Sequence, residues 1–258
     1  MIIRLDLIEL LINNMFTRSS DFVVKMAIRV GKNHFLKELL RPLYDFYLNS
    51  INQHRNTIFK RKGIYVLKMF DKCMTENSIH YSLAFGTMLG AVREHGFIKH
   101  DLDIDVVIWN EDYSSQIKQL LAKYGFKLFH EITVDDGKSG REETYELDGV
   151  SIDIFYIYPA LDEYPYCCDF IGHKDVVSFK ECMRKYGYII PRRIQLPWQK
   201  ETHRVAFDDL SLPIPINFHE ILSFRYGADY MTPNPNWRCT EENKYIQIWE
   251  GKKGVVKH

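Results

Sequence analysis

Three aspartates stand at alternate positions in HDLDIDVVIW, at Asp101, Asp103 and Asp105. An extended chain repeats its side chains every two residues, so the three carboxylates fall on one face, about 6–7 Å apart along the strand. Leu102, Ile104 and Val106 fill the other face. Ionised carboxylates so arranged repel one another unless a positive charge sits among them. A hard divalent cation, Mg²⁺ or Mn²⁺, meets that need with carboxylate, water and phosphate oxygens. A fourth acid, Asp153, lies in VSIDIFYIY between Ile152 and Ile154. A carboxylate in such an apolar strand is costly unless paired or metal-bound, so Asp153 is expected to meet the other three from a neighbouring strand. Asp103 and Asp105 are the candidate metal ligands and catalytic residues, with Asp101 and Asp153 completing or supporting the site. The competing view, acids that cap strand ends or face solvent, fits a lone DxD better than this set.

The residues just before the aspartates supply phosphate chemistry. Gly86-Thr87 follows a short apolar segment and opens a helix, whose free N–H groups and dipole can receive a phosphate. Arg93, one turn on from Gly90, offers a bidentate charge to a diphosphate. Gly90 replaces a better helix former and points to close packing against the sheet. His95 and His100 flank the following loop and are expected at the surface. No Ser, Cys or His nucleophile is evident. Phosphoryl transfer does not need one, since it runs on positioning and charge neutralisation.

These groups require a sheet with helices against it. IHYSLAF reads as a buried strand, with a helix from Gly86 that Gly96 ends, then DIDVVIW as a strand. YSSQIKQLLAKY reads as a helix stopped by Gly125, and FKLFHEITV as a strand. ETYELDGVSIDIFYIY reads as a hairpin, because Asp148-Gly149 favours a type I′ turn. Late in the chain, NFHEILSFRYG reads as a helix with Asn217 as N-cap, Glu220 three residues on and Gly227 as stop. This order gives an α/β or α+β fold with a mixed sheet. Upstream, residues 1–50 read as amphipathic helices, with Pro42 kinking or restarting the third, and residues 52–78 as a long helix through Gly63.

The 258 residues, 46% hydrophobic and 26% charged, suit a soluble globular protein. With 34 basic and 34 acidic residues there is no bulk case for a nucleic-acid partner. Residues 1–62, however, hold eleven Lys and Arg against five Asp and Glu. Packing of those helices on the catalytic domain is the plain expectation. Peripheral contact with an anionic membrane leaflet is the second, and the expected location is the cytoplasm, including the inner membrane face. No apolar run approaches the ~20 residues that span a bilayer. The expected organisation is a helical appendage at 1–62, a catalytic domain at 63–237 and a tail at 238–258. The five cysteines fit reduced thiols; a zinc ion gathered by Cys167, Cys168, His173 and Cys182 is a minor alternative. Beyond Pro159, Tyr164, Tyr166, Phe170, Tyr186, Tyr188 and Trp198, with Arg192 and Arg193, are candidates to stack a sugar or base and receive an anionic acceptor, about half of these aromatics being core.

The order of strand, GT, helix, DxD strand and later Asp resembles the nucleotidyltransferase fold of the polymerase-β superfamily. More narrowly, GTMLGAVREHGFIKHDLDIDV, Asp153-Ile154-Phe155 and Arg225-Tyr226-Gly227 are similar to the motifs of the LicD family. That resemblance spans roughly residues 64–237 and implies a nucleotidyltransferase-type domain with an added N-terminal helical segment. It implies metal-dependent transfer of a phospho-alcohol from a CDP-activated donor to a sugar hydroxyl of a glycan or lipid-linked sugar, releasing CMP. Tyr226 and Tyr230 are placed in the donor pocket by this resemblance alone. His100 replaces a Trp found in many members, and Leu102 interrupts their DDDID run. The second departure leans towards an alditol phosphate over phosphocholine. Two alternatives remain: a nucleotidyltransferase that releases pyrophosphate, and a non-catalytic nucleotide or glycan scaffold.

Overall fold

The computed structural model describes residues 34–176, 178–234 and 245–257. The helices expected before residue 34 and Cys239 lie outside the described residues. Helix α1, His34–Glu76, is a single helix of 43 residues. It runs through Pro42, where the sequence suggested a kink or restart, and on through Gly63 as expected. Its C-terminal half owes its stability to tertiary packing rather than propensity. Phe59, Val66, Leu67, Phe70, Cys73 and Met74 recur at helical spacing and are all buried. Gly63 is tolerated because the Phe97 ring fills the place of its side chain; an added Cβ would lie 3.0 Å from that ring.

The main sheet is mixed, in the order β1-β2-β5-β4-β3-β11. Its members are β1 (Ser82–Leu83), β2 (Asp103–Trp109), β3 (Lys127–Val134), β4 (Gly140–Leu147), β5 (Val150–Ile157) and β11 (Gly254–Lys257). Among the described residues only β2 and β5 of this sheet run parallel; the other neighbouring pairs are antiparallel. The β4–β5 hairpin turns at Asp148-Gly149, with φ of 56° and 83°, the two positive values a type I′ turn requires. Helix α2 spans Phe85–Arg93 and helix α3 spans Gln116–Lys123. Beyond Tyr158, β6 (Tyr166–Ile171), β7 (Ile190–Gln195) and β10 (Ile246–Ile248) form a second sheet. Helix α4 is Phe179–Tyr186, the hairpin β8–β9 covers Thr202–Phe207 and Leu210–Pro215, and α5 is Phe218–Tyr226.

Four details differ here from the reading of the sequence. Within the expected tail at 238–258, Ile246–Ile248 form β10 paired with β7, and Gly254–Lys257 form β11 paired with the edge strand β3. No structural break falls at 62/63 either, because α1 crosses it. Helix α2 ends at Arg93, and His95, not Gly96, takes the left-handed conformation after it, with φ of 53°. Gly90 packs against that returning loop rather than the sheet: a Cβ there would sit 2.3 Å from the Gly96 carbonyl oxygen and 3.2 Å from the Ile98 nitrogen. Both neighbours are backbone and cannot swing away. Replacing Gly90 by Ala is therefore expected to cost about 1–3 kcal/mol as overpacking, read as a fall of several degrees in melting temperature. A variant that melts with the wild type would contradict this placement.

Candidate active site

In the parallel register of β2 and β5, Asp105 stands opposite Asp153 and Asp103 opposite Ser151. On the other side of β5, Asp153 faces Thr144 of β4, which in turn faces His130 of β3. One row therefore crosses four strands, from Asp105 through Asp153 and Thr144 to His130. The Thr144 hydroxyl donates to Asp153 Oδ1 at 2.5 Å and lies 3.0 Å from His130 Nε2. Asp101 lies just before β2, and its Oδ2 accepts the Ile98 N–H at 2.9 Å. The four acids are thus brought to one face of the sheet, near the N-terminal ends of its parallel pair.

Small residues at the start of α2 set the geometry around Asp105. Its carboxylate accepts the Gly86 N–H, while its own backbone N–H donates to Thr87 Oγ1 at 2.9 Å. Thr87 is fully buried. The sequence offered Gly86 and Thr87 to a phosphate; the structure turns both towards Asp105, because pairing of β1 with β2 brings the helix opening onto that strand. The positive end of α2 thereby faces a protein carboxylate. Gly86 also leaves room: the point where its Cβ would lie is 3.3 Å from Asp101 Oδ1 and 3.6 Å from Asp105 Oδ2. Phe85, just before it, is held at φ 42°, a region costly for an aromatic residue. Its ring is fixed edge-on to Phe155 and Trp198 at 5.0 and 5.9 Å between centroids.

Burial governs the electrostatics. It pushes Asp105 well above the usual carboxylate range, helped by Asp103, Asp153 and Asp101 and opposed by the Gly86 N–H. Burial also raises Asp103. It takes Asp101 to about 7, against the Ile98 hydrogen bond, with Asp103 adding to the rise and Arg93 opposing it. Asp153 is pushed up to about 6, burial outweighing the Thr144 hydrogen bond. Asp103 and Asp153 also feel the guanidinium of Arg55 on α1, which favours their ionised forms.

Other residues fall around this group. Arg93 pairs with Glu94 at 2.9 Å and reaches the Tyr230 carbonyl at 3.4 Å. Tyr226 is hydrogen-bonded to Arg225, and burial with the nearby charges of Asp105 and Asp101 holds its phenol protonated. Tyr230 is buried. Sequence reasoning missed Glu142, His130, Thr144 and Arg55. The Glu142 Oε2 is buried without a hydrogen-bond partner; burial, then Asp153, Asp169 and Asp105, push this acid well above its usual range. Its one local signal was alternation with Thr144 in GREETYEL.

Among the described residues no three His, Cys, Asp or Glu side chains already meet at one metal-binding point. Cys182 Sγ accepts the His173 N–H at 3.3 Å, and Cys168 Sγ packs where a Gly140 side chain would lie. Cys73, Cys167, Cys168 and Cys182 are all buried free thiols. The aspartates differ in kind: they are hard oxygen donors suited to Mg²⁺ or Mn²⁺, and oxygens of Asp101 and Asp105 lie within 3.6 Å of one point. Their chemistry fits such an ion. Of the aromatics beyond Pro159, Tyr166, Phe170 and Trp198 are core. Arg192 is paired with Asp169 and Arg193 with Asp162 at 3.3 Å.

A pH dependence follows. Asp101 titrates near 7 when folded, against 3.8 for a free side chain. Its proton stabilises the fold fully below about pH 4, and that contribution is lost as pH rises to about 7. In metal-free buffer, Asp101→Asn should therefore gain in melting temperature relative to wild type between pH 4.5 and 8, and Mg²⁺ should shrink the difference. A pH-independent difference would remove the assignment.

A family model described as the LicD/FKTN/FKRP nucleotidyltransferase domain matches residues 78–217. That segment takes in α2, the aspartate strand and β5. Human ribitol-5-phosphate transferase FKTN is 25% identical over 217 residues, covering 81% of this chain and 42% of that protein. The mouse protein of the same name is 24% identical over 200 residues, covering 74% and 39%. An uncharacterized protein of Rickettsia typhi is 32% identical over 84 residues, covering 31% and 27%. The chain thus spans less than half the length of the curated relatives it matches. No described helix is long and apolar enough to cross a membrane. With the matched segment covering more than half of its residues and containing the aspartate site, the chain belongs to the LicD/FKTN/FKRP nucleotidyltransferase-domain family.

Proposed function

We propose that this chain is a metal-dependent transferase that moves a phospho-alcohol from a CDP-activated donor to a sugar hydroxyl, releasing CMP, on a nucleotidyltransferase fold of the polymerase-β type. The observation that carries the reading is the convergence of Asp101, Asp103, Asp105 and Asp153 on one sheet face inside the family-matched segment. Four half-buried carboxylates on one sheet face are costly to keep without a cation to neutralise them. The names of the relatives and the departure at Leu102 favour an alditol phosphate, ribitol phosphate first, as the transferred group. The alternative with nucleoside triphosphate as donor and pyrophosphate as product uses the same acids and is separated from the first by the choice of ligand.

Asp103 and Asp105 would hold the ion, with Asp101 beside them. When bound, it neutralises charge on the phosphate oxygens. The acceptor hydroxyl attacks the phosphorus that carries the alcohol, in line with the bridging oxygen. The new P–O bond forms as the bond to CMP breaks, and CMP leaves with that electron pair. The hydroxyl proton passes to Asp153. This carboxylate suits the role of base: Thr144 fixes one of its oxygens, and its titration near 6 leaves it mostly ionised at neutral pH.

Thermal shift with Mg²⁺ or Mn²⁺ and CDP-ribitol, CDP-glycerol, CDP-choline, CMP or each nucleoside triphosphate tests the reading. A ligand at 100 times its Kd stabilises by about 2.7 kcal/mol, several degrees for a chain of this size. Metal-dependent stabilisation by a CDP-alcohol, lost in the Asp103→Asn/Asp105→Asn double variant, is expected. Stabilisation by triphosphates alone, or an unchanged response in the variant, would overturn it. In a transfer assay, Asp153→Asn should lower kcat about 10²–10⁴-fold with little change in KM.

A further inference from the structure

The family match begins at residue 78, yet α1, which precedes it, reaches the site. Asn56 Nδ2 donates to the carbonyls of Lys99 and Asp101, at 3.2 and 3.1 Å, which fixes the helix against the loop that delivers the aspartates. Further along, Ile58 packs against Gly149 and Lys62 pairs with Asp148 at 2.8 Å, so this stretch of α1 lies across the turn that starts β5. Residue 55 is thereby held over the N-terminal ends of β2 and β5, where Asp103 and Asp153 sit.

We propose that Arg55 is a donor-binding residue, whose guanidinium holds the second phosphate of the nucleotide diphosphate, the one that carries the transferred alcohol. The proposal rests on the transferase reading. A diphosphate approaching four acids needs cations at the rim as well as a metal, and Arg offers phosphate a planar two-pronged donor. The other guanidiniums near the site are engaged: Arg93 with Glu94 and the Tyr230 carbonyl, Arg225 with Tyr226. Arg55 is exposed and makes no hydrogen bond or ion pair among the described residues. The two rim charges also divide the site, since Arg93 acts on Asp101 whereas Arg55 acts on Asp103 and Asp153. With Asp153 as base, the reacting phosphorus belongs on the Arg55 side.

Calorimetric titration of the full chain with CDP and with CMP, in Mg²⁺, decides the matter. Wild type should bind both. Arg55→Ala should weaken CDP at least about tenfold, as loss of a charged hydrogen bond does, while CMP binding stays close to wild type. Arg55→Lys should recover part of the loss, and all three proteins should melt alike without ligand, since the side chain is exposed and makes no hydrogen bond or ion pair among the described residues. Wild-type CDP affinity in Arg55→Ala would overturn the assignment and leave the transferase reading standing. An equal loss for CDP and CMP would also overturn it, because the second phosphate would then not be the target. A wild type that binds neither nucleotide in Mg²⁺ or Mn²⁺ would instead sink the transferase reading itself.

Discussion

Asp105 opposite Asp153, in the one parallel strand pair of the main sheet, is the constraint to which the surrounding structure answers. Two carboxylates so placed, with Asp101 and Asp103 alongside, crowd four acids into a half-buried site. Nearby elements offset part of their charge with weak positive poles. Helix α2 opens onto Asp105, the Ile98 N–H holds Asp101 and the Thr144 hydroxyl holds Asp153. Strong charges stay at the rim, on Arg55 and Arg93. Burial raises the proton affinity of all four acids, and a divalent cation would compete with protons for the same oxygens.

The opposite face of the same sheet handles charge differently. Glu131 and Glu143 are buried there with Arg141, and Lys118 of α3 reaches Glu131 at 2.5 Å. Tyr145 and Tyr156 both donate to Glu143, and the Arg141 guanidinium lies 3.9 Å from the Tyr113 ring centroid. Opposite charges and hydroxyls meet inside the protein, as buried ions require. The contrast locates function: on one face charge is answered internally, while on the other a surplus of acid waits for an outside partner.

Features fixed by local backbone rules were legible in the sequence. Alternation placed Asp103 and Asp105 on a common face, Asp148-Gly149 turned the hairpin, and Gly125 and Gly227 took positive φ after their helices. Features that depend on distant pairing were not. Gly86 and Thr87 looked free for a ligand until the register of β1 on β2 gave them to Asp105. The Asn217 side chain goes to the Pro197 carbonyl and Glu220 rather than to a helix N–H, because β9 delivers it beside residue 197. Glu142 and Arg55 carry no motif, and only the sheet and the crossing of α1 bring them to the aspartates. The strands β10 and β11 were hidden because they are only three and four residues long and a partner edge defines them.

The strand β4, GREETYEL, has charges on both faces and little of the apolar alternation that normally settles how a strand aligns with its neighbours. A shift by one residue would exchange Glu142 for Glu143, two side chains of the same chemistry. Alignment therefore rests on the left-handed turn at Asp148-Gly149 and on Arg141 finding Glu131 across β3. The second of these is an attraction between ions, selected while the chain is still in water and open to screening, and sealed from salt once buried. Added salt would thus act on the fraction of chains that align correctly during refolding, and far less on molecules already folded.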